Sequence, residues 1–238
     1  MARTVVEIIT FAQKQWCQPD EQVIMAAQTR GLVLCTLGTQ WRAPHVPVGQ
    51  VPPVDLPESP ERRLHEVVVR GAFLGDEWVH DPHVFAWARG QAPQQAAIRM
   101  ADLLAHGREE TWQVLTTRRL AVVMESRFAR PPQPQPAEGK SEAEQGKGGG
   151  LFGLARSLVR EVRGVFGGEP ALELTTLWEH PAARLRNIHL LQLGRTPQPR
   201  EFVRLEFDDG SVLDYHSGTP GIGQEGVDYA LRMLGRRS

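Results

Sequence analysis

The chain has 238 residues, 41% of them apolar and 23% charged, with a formal net charge of −1 from 27 basic and 28 acidic side chains. That length makes one large domain or two small ones, and folding hides roughly 70% of the unfolded surface. Balanced charge excludes a general electrostatic affinity for nucleic acid or anionic membranes, and apolar runs such as Gly31 to Leu37 fall far short of the roughly 20 residues a membrane-spanning helix needs. The N-terminus alternates Arg3, Glu7 and Lys14 with apolar residues and has no small-residue cleavage site, so no signal peptide is expected. Cys17 and Cys35 form neither a disulfide framework nor a C-x-x-C pair, which fits a reducing cytoplasm. All but three of the basic residues (Lys14, Lys140, Lys147) are arginine, spread along the whole chain as coding bias would spread them.

Thr4-Val5-Val6-Glu7 has the form of a capping box. Val5, Ile8, Ile9, Ala12 and Trp16 follow at helical spacing, predicting an amphipathic helix over 5–17 that Pro19 ends. Val23–Gln28 and Leu32–Thr36 read as strands joined around Arg30-Gly31. Six prolines between Gly38 and Pro60 argue against regular structure there. Val67–Arg70 is a short strand candidate. Pro93 opens a helix over 94–106, with Gly107 as its stop.

Thr111–Thr116 and Leu120–Glu125 read as adjacent strands. From Arg130 to Gly150 there is no aromatic or β-branched residue, so this stretch reads as a flexible linker or inserted loop. Leu151, Leu154, Ala155, Leu158, Val162, Val165 and Phe166 then recur at helical spacing, with Arg156, Arg160 and Arg163 on the other side. Strand candidates follow at 172–179, 185–193, 202–207 and 212–215, the last two joined by Asp208-Asp209-Gly210-Ser211, a strong hairpin signal. A terminal helix over 224–234 buries Val227, Ala230, Leu231 and Leu234.

The run Trp112-Gln113-Val114-Leu115-Thr116-Thr117-Arg118-Arg119-Leu120-Ala121-Val122-Val123 resembles the v-L-T-x-x-R-L signature of bacterial pleckstrin-homology-like domains. Phe202 to Tyr215 with the terminal helix resembles the closing hairpin and capping helix of that fold. The resemblance covers about a third of the chain and implies an α+β protein: a bent antiparallel sheet or partly open barrel, capped by a C-terminal helix, with long insertions. Its organisation would be an N-terminal helix (1–20), a first part of the core (21–128, with insertion 38–107), a linker or loop (129–150), and an amphipathic helix with the remaining strands and C-terminal helix (151–238). Thr117 stands where that family often has Asp or Asn. The dense basic loop of phosphoinositide-binding members is missing, so no lipid specificity is implied.

Chemistry-bearing motifs are sparse. Gly221 to Gly226 spells G-x-G-x-x-G, but the chain is too short beyond it for the second strand and acidic residue a dinucleotide site needs. Gly139-Lys140-Ser141 has Pro134 where a phosphate-binding loop needs glycine. No G-x-S-x-G elbow occurs, and a triad built on Asp214, His216 and Ser217 fails because neighbours in a strand face opposite ways. His80, Asp81 and His83, with His45 or His65 as a third ligand, form the one cluster whose side chains suit zinc, and they define a metal-dependent hydrolase as an alternative function. A solvent-facing turn is the plainer reading of the same residues.

The leading expectation is a non-enzymatic intracellular binding or assembly module acting through protein–protein contacts, without a cofactor. Its partner-binding surface is the helix 151–166, through Leu151, Leu154, Leu158, Val162, Arg156, Arg160 and Arg163. The same helix could instead pack on its own sheet, or lie on an anionic membrane through its three arginines. Nucleic-acid binding is not expected; self-association is compatible with this reading. Of the six tryptophans, Trp41 and Trp78 fall in weakly patterned loops, where exposure of either would mark an interaction surface.

Overall fold

A computed structural model of the chain describes residues 3–129, 172–195, 199–216 and 223–236. The capping box forms as its sequence predicts: the Thr4 N–H donates to Glu7 Oε2 at 2.7 Å and the Glu7 N–H to Thr4 Oγ1 at 3.2 Å. Helix α1 (Val5–Phe11) then continues as a π turn over Ala12–Trp16, closed by the Cys17 N–H on the Ala12 carbonyl. This wider turn sets the Trp16 ring beneath the Arg119 guanidinium, 4.1 Å away, with its Nε1–H on Thr176 Oγ1.

The protein is α+β, built on two sheets that are mostly antiparallel and, among the described residues, do not close into a barrel. The four-stranded sheet runs in the order β1 (Val23–Gln28), β5 (Thr111–Thr116), β6 (Arg119–Glu125), β7 (Leu174–Pro181). The six-stranded sheet runs β3 (Gln40–Arg42), β2 (Leu32–Leu37), β4 (Val84–Gly90), β10 (Val212–His216), β9 (Arg200–Phe207), β8 (Leu185–Leu193). Within it β2 and β4 run parallel, a departure from the antiparallel arrangement expected.

Consecutive β1 and β2 belong to different sheets. The crossing depends on Gly31, where an added Cβ would stand 2.6 Å from the His83 carbonyl oxygen, and the Leu32 N–H bonds that same oxygen at 2.7 Å. Strand β4 is central and buried on both faces, so its run Val84 to Ala88 shows no alternation for a sequence reading to find. Leu32 pairs with Val84 but Val33 with Ala86, which makes Phe85 an extra, bulged residue.

Helix α2 (Glu66–Val69) occupies the segment expected as a strand. β-Branched propensity there yields to packing: Val68 is buried in a core, and the Val68 and Val69 amides close turns on the His65 carbonyl. Helix α3 (Ala96–Gly107) starts two residues later than expected and lies between the sheets, against β2 and β4 on one side and β5 and β6 on the other. Its N-cap Gln95 makes no side-chain cap; instead Asp209 Oδ2 accepts the Ala96 N–H at 2.6 Å and Ser211 Oγ the Ala97 N–H at 3.0 Å. The predicted Asp-Gly hairpin, with Gly210 at φ +80°, thus supplies the cap of the central helix.

Helix α4 (Gln224–Met233), entered from Gly223, buries Val227, Ala230 and Leu231 against β8 and β1, the edge strand of each sheet. Gly221 lies outside the described residues. Strands after residue 172 pair with strands before 129, so residues 1–130 and 173–238 make one unit with one main core. A second core covers the outer face of the six-stranded sheet, from Leu34, Leu64, Val68, Trp78, Val79, Val84 and Phe202.

Candidate functional site

The L-T-x-x-R-L residues build a turn. Thr116 Oγ1 accepts the Arg118 and Arg119 amides at 3.1 and 2.9 Å and donates to Glu21 Oε1 at 2.6 Å. Arg119 reaches both Glu21 oxygens at 2.9 and 3.2 Å and Glu179 at 2.6 Å. Burial pushes the Glu21 carboxyl up, but hydrogen bonds from Arg119, the Gln18 amide and Thr116 outweigh it and hold it below its ordinary range. These groups satisfy one another and tie α1, β1, β6 and β7 together, which gives the motif a structural role here.

Of the predicted metal ligands only His65 and Asp81 approach one another, with His65 Nδ1 3.8 Å from Asp81 Oδ2. Asp81 is buried and its oxygens accept the His65 and His83 backbone amides at 2.6 and 2.9 Å, clamping the chain on either side of α2 and its following turn. His80 sits on a 3-10 turn (Glu77–His80) against Gly194. His45 lies in the main interior, its Nε2 2.8 Å from Asp102 Oδ1. Among the described residues no group of three or more His, Cys, Asp or Glu is placed to hold a metal ion. Asp214 and His216, two apart, do share the outer face of β10, but Asp214 is occupied by Arg204 at 2.7 and 2.9 Å and by Arg89 at 2.5 Å.

Asp102 is the second buried node, on the central helix. Burial raises its carboxyl, yet His45, the Val48 and Gly49 amides, at 3.1 and 3.0 Å, and the His45 charge together hold it below its ordinary value. This fastens the proline-rich segment after β3 to α3. Neighbouring Cys35 is pushed up to about 12, first by burial and then by Asp102, which makes its thiol a poor nucleophile.

Leu151, Leu154, Arg156, Leu158, Arg160, Val162 and Arg163, assigned above to partner binding, lie outside the described residues. What the described surface offers is the excursion of residues 66–75 over the second core. Beneath it stands a set of edge-to-face rings: Trp41 with Phe73 and Trp87 at 5.2 and 5.4 Å, and Trp78 with Trp87 and Phe202 at 5.1 and 5.0 Å. Trp78 is fully buried, a core residue; Trp41 is half-buried, its Nε1–H held by the Val68 carbonyl at 2.8 Å. Gly71, at φ +66°, lets the chain turn directly against the Trp41 ring.

On this base Val67, Val69 and Leu74 are 46, 44 and 95% exposed. Three of the six large exposed hydrophobics among the described residues therefore fall within a single eight-residue stretch. Sequence reading missed it because Val67 and Val69 pass for strand residues. Among the described residues no helix is long and apolar enough to cross a membrane. Comparison of the chain with protein-family models, with curated proteins and with solved structures finds no match.

Proposed function

We propose that the chain is a non-enzymatic binding or assembly module acting through protein–protein contacts, with residues 66–75 as a docking surface. The observation that carries this reading is the clustering of Val67, Val69 and Leu74 at the surface over a rigid aromatic base. Interfaces are anchored by a few apolar side chains whose backbone is already ordered, because little entropy is then lost on docking. Phe73 and Trp41 fix the backbone next to Leu74, leaving its side chain to enter a partner's apolar groove. Mixed charges border the stretch, including the Glu66–Arg70 and Arg195–Asp76 pairs, and suit the polar rim of such a contact.

The amphipathic stretch 151–166 is the second surface this reading assigns to partners. The pleckstrin-homology-like identity belongs to the same proposal: the β5–β6 hairpin and a C-terminal helix against two sheet edges support it, while the parallel β2–β4 pair and α3 depart from it.

The test is affinity capture with the wild-type chain, Leu74→Asp, and Leu158→Glu with Val162→Glu, each also analysed by sedimentation. A stoichiometric protein partner lost on Leu74→Asp, with the unfolding transition unchanged, supports the docking surface. A partner retained by both variants overturns both assignments. Concentration-dependent dimers abolished by Leu74→Asp would identify the partner as a second copy of the chain.

A further inference from the structure

Residues 55–65, between the Val54–Ala129 bridge and α2, form no regular element, yet exposure over 56–63 follows a strict rhythm. Leu56, Ser59 and Arg62 are half-buried, whereas Pro57, Glu58, Pro60, Glu61 and Arg63 are exposed. One inward residue in every three is the period of a polyproline II helix. A strand would alternate instead, as Pro53, Val54, Asp55 and Leu56 do around the bridge. Local sterics favour the three-residue turn: Pro57 and Pro60 fix their own φ near the value of this helix, and each pushes its predecessor, Leu56 or Ser59, into extended backbone.

Both ends of this strap are fastened. The Asp55 N–H donates to the Phe128 carbonyl at 2.8 Å, and Leu64 is buried in the second core. Between them the inward edge is held by a single carboxylate, for Glu109 accepts from Ser59 Oγ at 3.3 Å and pairs with Arg62. Two of the three edges therefore face outward, one carrying Pro57, Pro60 and Arg63 and the other Glu58 and Glu61. Arg63 is taken up by Glu61, with its Nε at 3.1 Å and Nη2 at 2.9 Å from Oε1. With Arg62 on Glu109 and Arg63 on Glu61, Glu58 is the charged residue of the strap that makes no ion pair among the described residues.

We propose that residues 57–61 are a polyproline II ligand for a partner protein whose groove is lined by aromatic rings and flanked by a lysine or arginine. Pro57 and Pro60, three apart on one edge, enter the spaces between the rings, and Glu58 on the neighbouring edge meets the basic side chain. A segment already held in its bound form loses little entropy on docking. The unmatched carboxylate of Glu58 sets the sign of the flank, because an acidic rim would leave like charges facing one another. The proposal rests on the reading of the chain as a protein-binding module but not on residues 66–75, which present different side chains.

The test is NMR titration of the isotope-labelled full chain with purified WW domains, whose aromatic grooves take polyproline II peptides, carrying a basic, a neutral or an acidic rim. The proposal expects saturable binding, tightest for the basic rim, with the Glu58, Ser59 and Glu61 amide signals moving most. Pro57→Ala with Pro60→Ala should weaken it at least about tenfold, and Glu58→Arg should reverse the order of the three rims. All three positions are exposed and the prolines donate no hydrogen bond, so the fold is expected to survive. No binding to any rim, or equal binding by wild type and the double proline variant, overturns the strap as a ligand; a partner captured through Leu74 would still uphold the binding module. Equal affinity for all three rims overturns the basic flank. Loss of WW binding in Leu74→Asp transfers the contact to residues 66–75 and overturns the strap. Strap signals that move with chain concentration alone put a second copy of the chain there and overturn the aromatic groove.

Discussion

The Asp209 carboxylate, in the turn between β9 and β10, accepts the Ala96 N–H at 2.6 Å and so caps a helix that begins 113 residues earlier in the chain. The central helix brings no cap of its own, so its first amides depend on that hairpin. Hairpin and helix are thereby made to form together.

Asp209→Ala is expected to lower stability by about 1–2 kcal/mol, the usual effect of losing an N-cap carboxylate. Urea unfolding measures it. Burial pushes the Asp209 carboxyl up, but bonds from Ser211 and the Ala96 amide outweigh it and hold the folded pKa below the ordinary value. Its contribution is therefore complete above the ordinary carboxylate pKa and disappears as pH falls through the folded one. Wild type and Asp209→Ala should converge in stability under acid; a constant gap down to the lowest pH would show that the charge does not matter.

Glu21 and Arg119 form the other long-range tie, and Glu21 has no exposed side-chain surface. Glu21→Gln keeps the shape but removes the charge that Arg119 and Thr116 were arranged around, and is expected to cost about 2–3 kcal/mol. A double-mutant cycle with Arg119→Met should return a coupling of about 1–3 kcal/mol. Additive single effects would mean the two residues contribute independently.

Much of this fold is legible in the sequence because its signals are local. The Thr4–Glu7 capping box, the Asp-Gly hairpin and strands β1, β5, β6, β8 and β10 can be read from spacing and turn residues alone. What is hidden depends on tertiary context. Strand β4 is apolar on both faces and shows no period; the β1–β2 pair resembles a hairpin until the Gly31 contact sends its halves to different sheets; and Val67–Val69 are strand formers wound into a helix by the burial of Val68. The candidate surfaces follow the same rule. His80, Asp81 and His83 are adjacent in sequence, yet the Asp81 carboxylate is taken up by the His65 and His83 backbone amides while the His80 ring lies against Gly194.

The two thiols should react slowly in the folded protein, Cys35 more slowly than Cys17. Burial and then Glu21 push Cys17 up to about 11, and burial and then Asp102 push Cys35 up to about 12, so neither carries appreciable thiolate at pH 8. A disulfide exchange reagent should modify partly exposed Cys17 slowly, and buried Cys35 only as fast as the protein opens. Fast labelling of native Cys35 would show that the β2–β3 region opens locally.

Leu74 and Trp78 separate surface from core within five residues. Leu74→Asp should change stability by less than about 0.5 kcal/mol, since the side chain is 95% exposed. Trp78→Ala removes the ring that packs on both Trp87 and Phe202 and should cost about 3–5 kcal/mol. Thermal melts of the two variants settle it; a large loss in Leu74→Asp would move this side chain from the docking surface into the fold.

Gln113 breaks the pattern of the core. It stands between Ala27 and Val122 on the inward face of the four-stranded sheet, buried, and among the described residues neither its Oε1 nor its Nε2 has a hydrogen-bond partner. Each such group carries a desolvation penalty of about 1–3 kcal/mol that no described residue offsets. Gln113→Leu, close in volume and free of polar atoms, is therefore expected to raise stability by at least about 1 kcal/mol, against the general tendency of core substitutions. Calorimetry of wild type and variant decides the sign. A lower melting temperature for Gln113→Leu would mean that the amide is bonded after all, through a buried water that it holds between the two sheets.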